Sequence, residues 1–418
     1  MDQPTKNYGV RVTVAAVGIN LALGILYTWS VFSKFVPADW GWSEADKSWP
    51  YAVACLTFSL MMVPAGRMQD RIGPRWVATF GGLLVGLGLV LASFTTTFYG
   101  YVIGFGLLAG AGIGFGYASA TPPAVKWFPA ARTGMIAGIV VSGFGLSPVY
   151  AAPLTKWMIA AEGLNLGLSN TVLILGIAFL VIVMLLSQLL MPPPKGYVPA
   201  SAGKQAAPTS GSQKKDEFSP KEMLSTIQFY LLWFSYACGA GAGLMIISKL
   251  AKIGEEQADF KQGFVLVAAM AVGNGIGRIV TGSLSDKLGR RNTIFGCFVI
   301  QACLMIILSM VTKDSILANT GALIVLSALL GANYGANLAV FPSIAKGYFG
   351  LKNFGVNYGL LFTAWGVGGF LLPLLAGFLH DRYDAFTYAY YTAAGFLVLA
   401  AIVTYVVKPP HVLHDPNA

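Results

Sequence analysis

"GRMQDRIGPR" runs from Gly66 to Arg75, and "GSLSDKLGRR" runs from Gly282 to Arg291. The two stretches share the pattern G-x-x-x-D-R/K-x-G-x-R at an offset of 216 residues. Each follows a long apolar segment and ends in a cluster of basic residues. A second echo joins "KWFPAARTGMIAG" (Lys126 to Gly138) with "KGYFGLKNFGVNYG" (Lys346 to Gly359), at an offset of 220 to 221. Two separate echoes at similar offsets indicate a duplicated unit, and long apolar segments flank them.

Composition identifies the solvent of those apolar segments. Charged residues make up 11% of the 418-residue chain, against roughly 25% in soluble domains. Hydrophobic residues reach 56%. A soluble chain of this length has no way to hide so much apolar surface, so a lipid bilayer must cover part of it. The net charge of +10 does not indicate nucleic acid, because the basic residues fall in short loops between apolar spans instead of forming one face.

A membrane-spanning helix needs about 20 mainly apolar residues. Twelve segments qualify: 10–36, 48–66, 76–96, 98–124, 134–158, 169–191, 225–249, 262–285, 293–311, 317–343, 354–379 and 388–407. The first begins among Lys6 and Arg11 and is longer than the roughly 7–15 residues of a signal-peptide core, so it reads as a retained span. The chain therefore divides into 1–191, a Pro-, Gly-, Ser- and Lys-rich linker at 192–222, and 223–418. The expected fold class is an all-α membrane protein, with twelve transmembrane helices in two pseudo-symmetric six-helix bundles. With both termini inside, eighteen Lys and Arg residues fall in inner segments and eight in outer ones, and Arg278 completes the 27. That bias favours cytoplasmic termini and a multi-pass protein of the inner cell membrane.

The loop present in both halves resembles the signature of the major facilitator superfamily. The resemblance implies the major facilitator fold and secondary transport by alternating access; in architectures of parallel repeats the substrate site lies near the bilayer midplane. In the loops, Asp70 with Arg71 and Arg75, and Asp286 with Arg290, are the candidate gating residues, forming breakable ion pairs and receiving helix N-termini. The competing reading is a solvated turn that only sets topology. "GILYTWSVFSKFV" (Gly24 to Val36), Arg278 and "FTAWGVGG" (Phe362 to Gly369) resemble a finer group. That group is the branch holding oxalate/formate antiporters and monocarboxylate transporters, in particular bacterial transporters of the L-lactate type.

Arg278 is the residue that gives the apolar spans a chemistry. All 17 acidic residues fall in loops, span ends or tails, and the sequence offers Arg278 as the deep basic residue. Arg at a helix centre costs roughly 2.5–3.5 kcal/mol on insertion scales. Eight residues before Asp286, it lies about 12 Å from the inner end of its helix. A guanidinium keeps its proton and receives a carboxylate with two parallel bonds, so a carboxylate substrate is its expected ligand. The alternative is an Arg that binds carbonyls of a neighbouring helix. Asn274, one turn earlier on the same face, can orient Arg278 or donate to a substrate hydroxyl. In animal monocarboxylate carriers an Asp usually stands there, and its replacement puts a proton relay at this point in doubt. The oxalate/formate relatives carry a Lys in the eleventh span, where this chain has Trp365. One cation favours a monoanion over a dianion.

Tyr27, Leu26, Tyr117, Tyr334, Phe362 and Trp365 complete the candidate substrate-binding set, an aromatic hydroxyl suiting a small hydroxy acid. Helix packing is the competing reading for each. The glycine rows beside them (Gly110, Gly112, Gly114, Gly116; Gly273, Gly275, Gly277) read as close helix contacts, not as a nucleotide loop. Inward movement of an anion against a negative-inside potential costs about 2.3 kcal/mol per charge per 100 mV. Co-transport of a proton removes that cost, which favours proton symport; exchange of two anions is the alternative. Glu255, Glu256 and Asp259, read as an outer loop, are the candidate proton-handling residues. Cys55, Cys238, Cys297 and Cys303 read as small core residues, and the three histidines form no metal pattern. The expectation is a monomeric transporter of a small monocarboxylate with a proton, in lipid, without cofactor, metal, nucleic-acid partner or enzymatic activity.

Overall fold

The computed structural model describes residues 7–129, 132–194, 197, 217–350 and 352–410. Most of the expected linker at 192–222 lies outside them, as do His411 and His414. Among the described residues, twelve helices are long and apolar enough to cross a membrane: α1 (Gly9–Lys34), α2 (Glu44–Ile72), α3 (Pro74–Ser93), α4 (Phe98–Val125), α5 (Met135–Ile159), α6 (Gly167–Ser187), α7 (Ile227–Ala258), α8 (Gly263–Ser285), α9 (Arg290–Ser309), α10 (Thr320–Phe349), α11 (Phe354–Tyr383) and α12 (Thr387–Val406). The protein is all-helical in its described residues and multi-pass.

The chain forms two compact units. The first comprises Met1–Trp42 and Trp49–Ser210; the second comprises Ser43–Ser48 and Gly211–Ala418. The first turn of α2 thus groups with the second unit. Within the first unit, α1 packs on α5, α3 packs on α6, and α2 meets α4. Within the second, α7 packs on α11, α9 on α12, and α8 on α10. Each pairing of the first unit recurs six helices later, so the two units are pseudo-symmetric copies of one bundle. The first pairing in each unit also carries a side-chain hydrogen bond. Asn20 of α1 donates to the Val140 carbonyl of α5 at 2.9 Å, and Trp233 of α7 donates to the Thr363 hydroxyl of α11 at 2.9 Å.

The repeated loop repeats its backbone. Gly73 has φ 88° and ψ 158°, and Gly289 has φ 85° and ψ 142°. That region is essentially closed to residues with a Cβ, so one glycine per copy ends α2 or α8 and turns the chain into the next helix.

Glycines also set the helix spacing. A Cβ on Gly114 would stand 2.7 Å from the Phe58 carbonyl oxygen, and one on Gly110 would stand 2.8 Å from Cα of Ala54. These contacts bring α4 onto α2. In the second unit, Gly273 and Gly277 of α8 lie on the backbone of Ala328 and Ala332, while Gly331 and Gly335 of α10 lie on Met270 and Asn274. Backbone contact this close maximises dispersion where lipid removes any hydrophobic drive for helices to associate. Two helices exceed their expected limits by the most. α2 begins at Glu44 and runs to Ile72, and α7 continues to Ala258 instead of stopping near 249. Lys249, Lys252, Glu255 and Glu256 are therefore helical, not members of an outer loop.

Candidate functional site

The α8–α10 contact positions the central polar group of the second unit. Asn274 is 2% exposed, and its Oδ1 accepts a hydrogen bond from Nε of half-buried Arg278 at 3.0 Å. The four-residue spacing stacks the two side chains on one helical face. That bond fixes the guanidinium plane. The neighbouring Gly335 has the Asn274 side chain oxygen 2.9 Å from where a Cβ would stand, so α10 adds no bulk on that side. One residue earlier, Tyr334 is fully buried and its hydroxyl accepts from Nε1 of Trp365 at 2.8 Å. Trp365 stacks on Phe362, with ring centres 5.2 Å apart and an 11° interplanar angle. Five expected residues thus fall into one pair, Asn274 with Arg278 on α8, and one trio, Tyr334, Trp365 and Phe362 on α10 and α11.

Leu26, Tyr27 and Tyr117 belong to the first unit and form part of a different cluster. Gly24–Thr28 is a 3-10 turn that interrupts α1 and buries both Leu26 and Tyr27. Tyr27 meets Phe144 edge-on at 4.9 Å; Tyr117 meets Phe144 at 5.4 Å and Phe58 at 5.3 Å. These are T-shaped contacts, each stabilising by about 0.5–1.5 kcal/mol beyond area burial.

A larger polar network, which the sequence reading did not identify, lies elsewhere in the second unit. Glu44, 6% exposed, accepts from Lys249 at 3.1 Å, Lys252 at 2.8 Å and Lys47 at 2.9 Å. Lys249 is 2% exposed and also donates to the Glu44 carbonyl at 3.0 Å. Lys252 bridges on to Glu256 at 3.0 Å, and the other oxygen of Glu256 lies 2.9 Å from Nε2 of buried His380. Asp381 accepts from the backbone amides of Glu44 and Ala45 at 2.8 Å each, capping the start of α2. The absent Cβ of Gly377 admits this turn: it would stand 2.7 Å from the Glu44 carbonyl. Removing a lone ion from water costs several kcal/mol, and the mutual ion pairs offset it.

This network corrects two expectations. Arg278 is not the single deeply held basic residue, because Lys249 is more fully buried. Of the proton-handling candidates, Glu256 enters the network from helix α7, Glu255 shares that helix, and Asp259 terminates it in the left-handed conformation at φ 51°. The signal was present in the sequence: Lys249, Lys252 and Glu256 repeat at helical spacing from the expected end of α7 onward.

Among the described residues, the gate candidates contact neutral groups. Asp70 and Arg71 are exposed, and Asp70 forms no ion pair among the described residues. Arg75 donates to the Gln188 side chain and sits 5.5 Å from the Trp76 ring. Arg290 donates to the Ser343 carbonyl at 2.6 Å. The Asp286 side chain lies outside the described residues.

Twelve apolar helices in two copies of one six-helix bundle, with polar groups fixed inside them, are the architecture of a membrane transporter. A profile of the Major Facilitator Superfamily matches residues 14–308 and 250–418; the chain belongs to that superfamily. It is 28% identical over 348 residues to the oxalate:formate antiporter of Oxalobacter formigenes, covering 82% of this chain and 77% of that protein. It is 24% identical over 414 residues to mouse monocarboxylate transporter 11, covering 96% and 87%. Similarity to the Escherichia coli MFS-type transporter YhjX is 26% over 357 residues, covering 85% and 84%. A solved bacterial homologue of the human lysosomal transporter Spinster shares the fold, with TM-score 0.67 and 16% identity over 96% of this chain and 97% of that one. The relatives include both groups that the sequence motifs resemble.

Proposed function

We propose that this protein carries small monocarboxylates of the L-lactate and pyruvate type across the inner cell membrane, together with a proton and by alternating access. Arg278 holds the substrate carboxylate and Asn274 orients Arg278. The observation that carries this reading is the Arg278–Asn274 bond at 3.0 Å on an apolar helix seated by glycines against α10. The planar fork of a guanidinium matches the geometry of a carboxylate, and the Nε bond to Asn274 orients its plane. The Trp365–Tyr334 pair supplies an apolar wall, suited to the short carbon skeleton of a monoanion. Transport without chemical change of the substrate is the activity; both termini are cytoplasmic, and the monomer is the working unit.

The test is uptake of labelled L-lactate into proteoliposomes under an inward pH gradient. Accumulation that stops when the gradient is collapsed supports the reading; no uptake by folded protein contradicts it. A second reading, exchange of organic anions, is favoured by the similarity to the oxalate:formate antiporter. It requires uptake that depends on an internal counter-anion and is indifferent to the pH gradient.

A further inference from the structure

The network at the start of α2 holds a buried imidazole in contact with a carboxylate. Its fixed charges balance without the imidazole: Glu44, Glu256 and Asp381 are matched by Lys47, Lys249 and Lys252. His380 is the additional member. Its Nε2 is 2.9 Å from Glu256, its side chain is 7% exposed, and that of Glu256 is 36% exposed. Glu256 therefore joins water to a buried imidazole. Other groups close to the pair are Lys252 on Glu256, the Phe386 ring at 4.5 Å from His380, and Gln257, which accepts from Tyr390 at 3.2 Å. Histidine is the side chain whose ordinary charge change falls between about pH 5 and 8.

We propose that His380 and Glu256 form the proton-binding site that couples carriage to the pH gradient; this rests on the monocarboxylate reading given above. A proton taken up by the pair neutralises one carboxylate charge in the network. Lys252, shared between Glu256 and Glu44, is then drawn further to Glu44. The first turn of α2, held through Glu44 and capped by Asp381, is gripped differently in the loaded and unloaded states. This assigns proton handling to one of the acidic candidates, Glu256, and adds a histidine that the sequence motifs did not single out.

Two substitutions test the site in reconstituted full-length protein, with empty vesicles subtracted. Glu256→Gln reproduces the charge of the loaded pair and cannot release it. His380→Gln still donates a hydrogen bond to Glu256 and cannot take up a proton. With one proton per lactate, a one-unit inward pH gradient supports about tenfold accumulation. In both variants accumulation falls to about onefold, and lactate no longer acidifies a lumen loaded with a pH dye. In Glu256→Gln, exchange of labelled for unlabelled lactate at equal pH remains measurable. Tenfold accumulation in either variant overturns the proposal. So does a parallel loss of exchange and accumulation in folded Glu256→Gln, which marks a structural pair. Wild-type protein that neither exchanges nor accumulates lactate removes the monocarboxylate reading itself, and the coupling site with it.

Discussion

The two units share one set of helix pairings and one loop signature, yet they bury different chemistry. In the first, the candidate positions are closed by rings: Tyr27, Phe58, Tyr117 and Phe144 pack edge to face. In the second, the same scaffold encloses charge. Among the described residues, the buried charged and imidazole side chains are Glu44, Lys249 and His380, and all three belong to the second unit. Half-buried Arg278 joins them there. A duplicated bundle can thus keep its packing while one copy takes over the ionic work, because packing depends on small residues at helix contacts and ionic work on a few side chains between them.

The comparison can be broken at several points. The largest effect is expected at Lys249. Lys249→Met leaves Glu44 buried with fewer cations, and breaking a buried pair costs about 3–5 kcal/mol; a lowered melting temperature in detergent checks it. Arg278→Lys keeps the charge and loses the fork. Charged hydrogen bonds contribute about 1.5–3 kcal/mol each, so lactate transport should fall on the order of 100-fold at unchanged protein level. Gly277→Leu drives a side chain into the Ala332 backbone, and overpacking of about 1–3 kcal/mol should lower the melting temperature. Tyr334→Phe removes the acceptor for Trp365 and should cost about 1 kcal/mol in stability or lactate affinity. Tyr117→Phe keeps every ring contact and should change transport by less than about twofold if the first unit contributes rings alone. A large loss there would place polar chemistry in both units.

Much of this architecture was legible in the sequence. Twelve apolar runs and two echoes specify a duplicated bundle, because spans in lipid must satisfy their backbone internally. Arg278 and Asn274 were readable because a charge within an apolar run stands out, and the four-residue spacing places both on one face. The Glu44 network was not. Its members sit in three separate helices, and the apolar run of α7 fades before Lys249, so hydropathy ends the helix while the backbone continues. Only the packing of α2, α7 and α11 reveals that Lys249 has an ionic partner far away in the chain. The loop charges are less legible still. Charges adjacent in sequence suggest ion pairs, and among the described residues Arg75 binds the Gln188 amide and Arg290 the Ser343 carbonyl, partners that adjacency does not reveal.

The central claim is that Arg278 receives a carboxylate. Equilibrium binding of L-lactate and of its neutral isostere lactamide, to wild-type protein and to Arg278→Gln, measures that contact as a coupling energy. Wild type should prefer lactate strongly, and the substitution should erase the preference by weakening lactate while leaving lactamide nearly unchanged. An equal preference for lactate in both proteins would show that the carboxylate is held elsewhere.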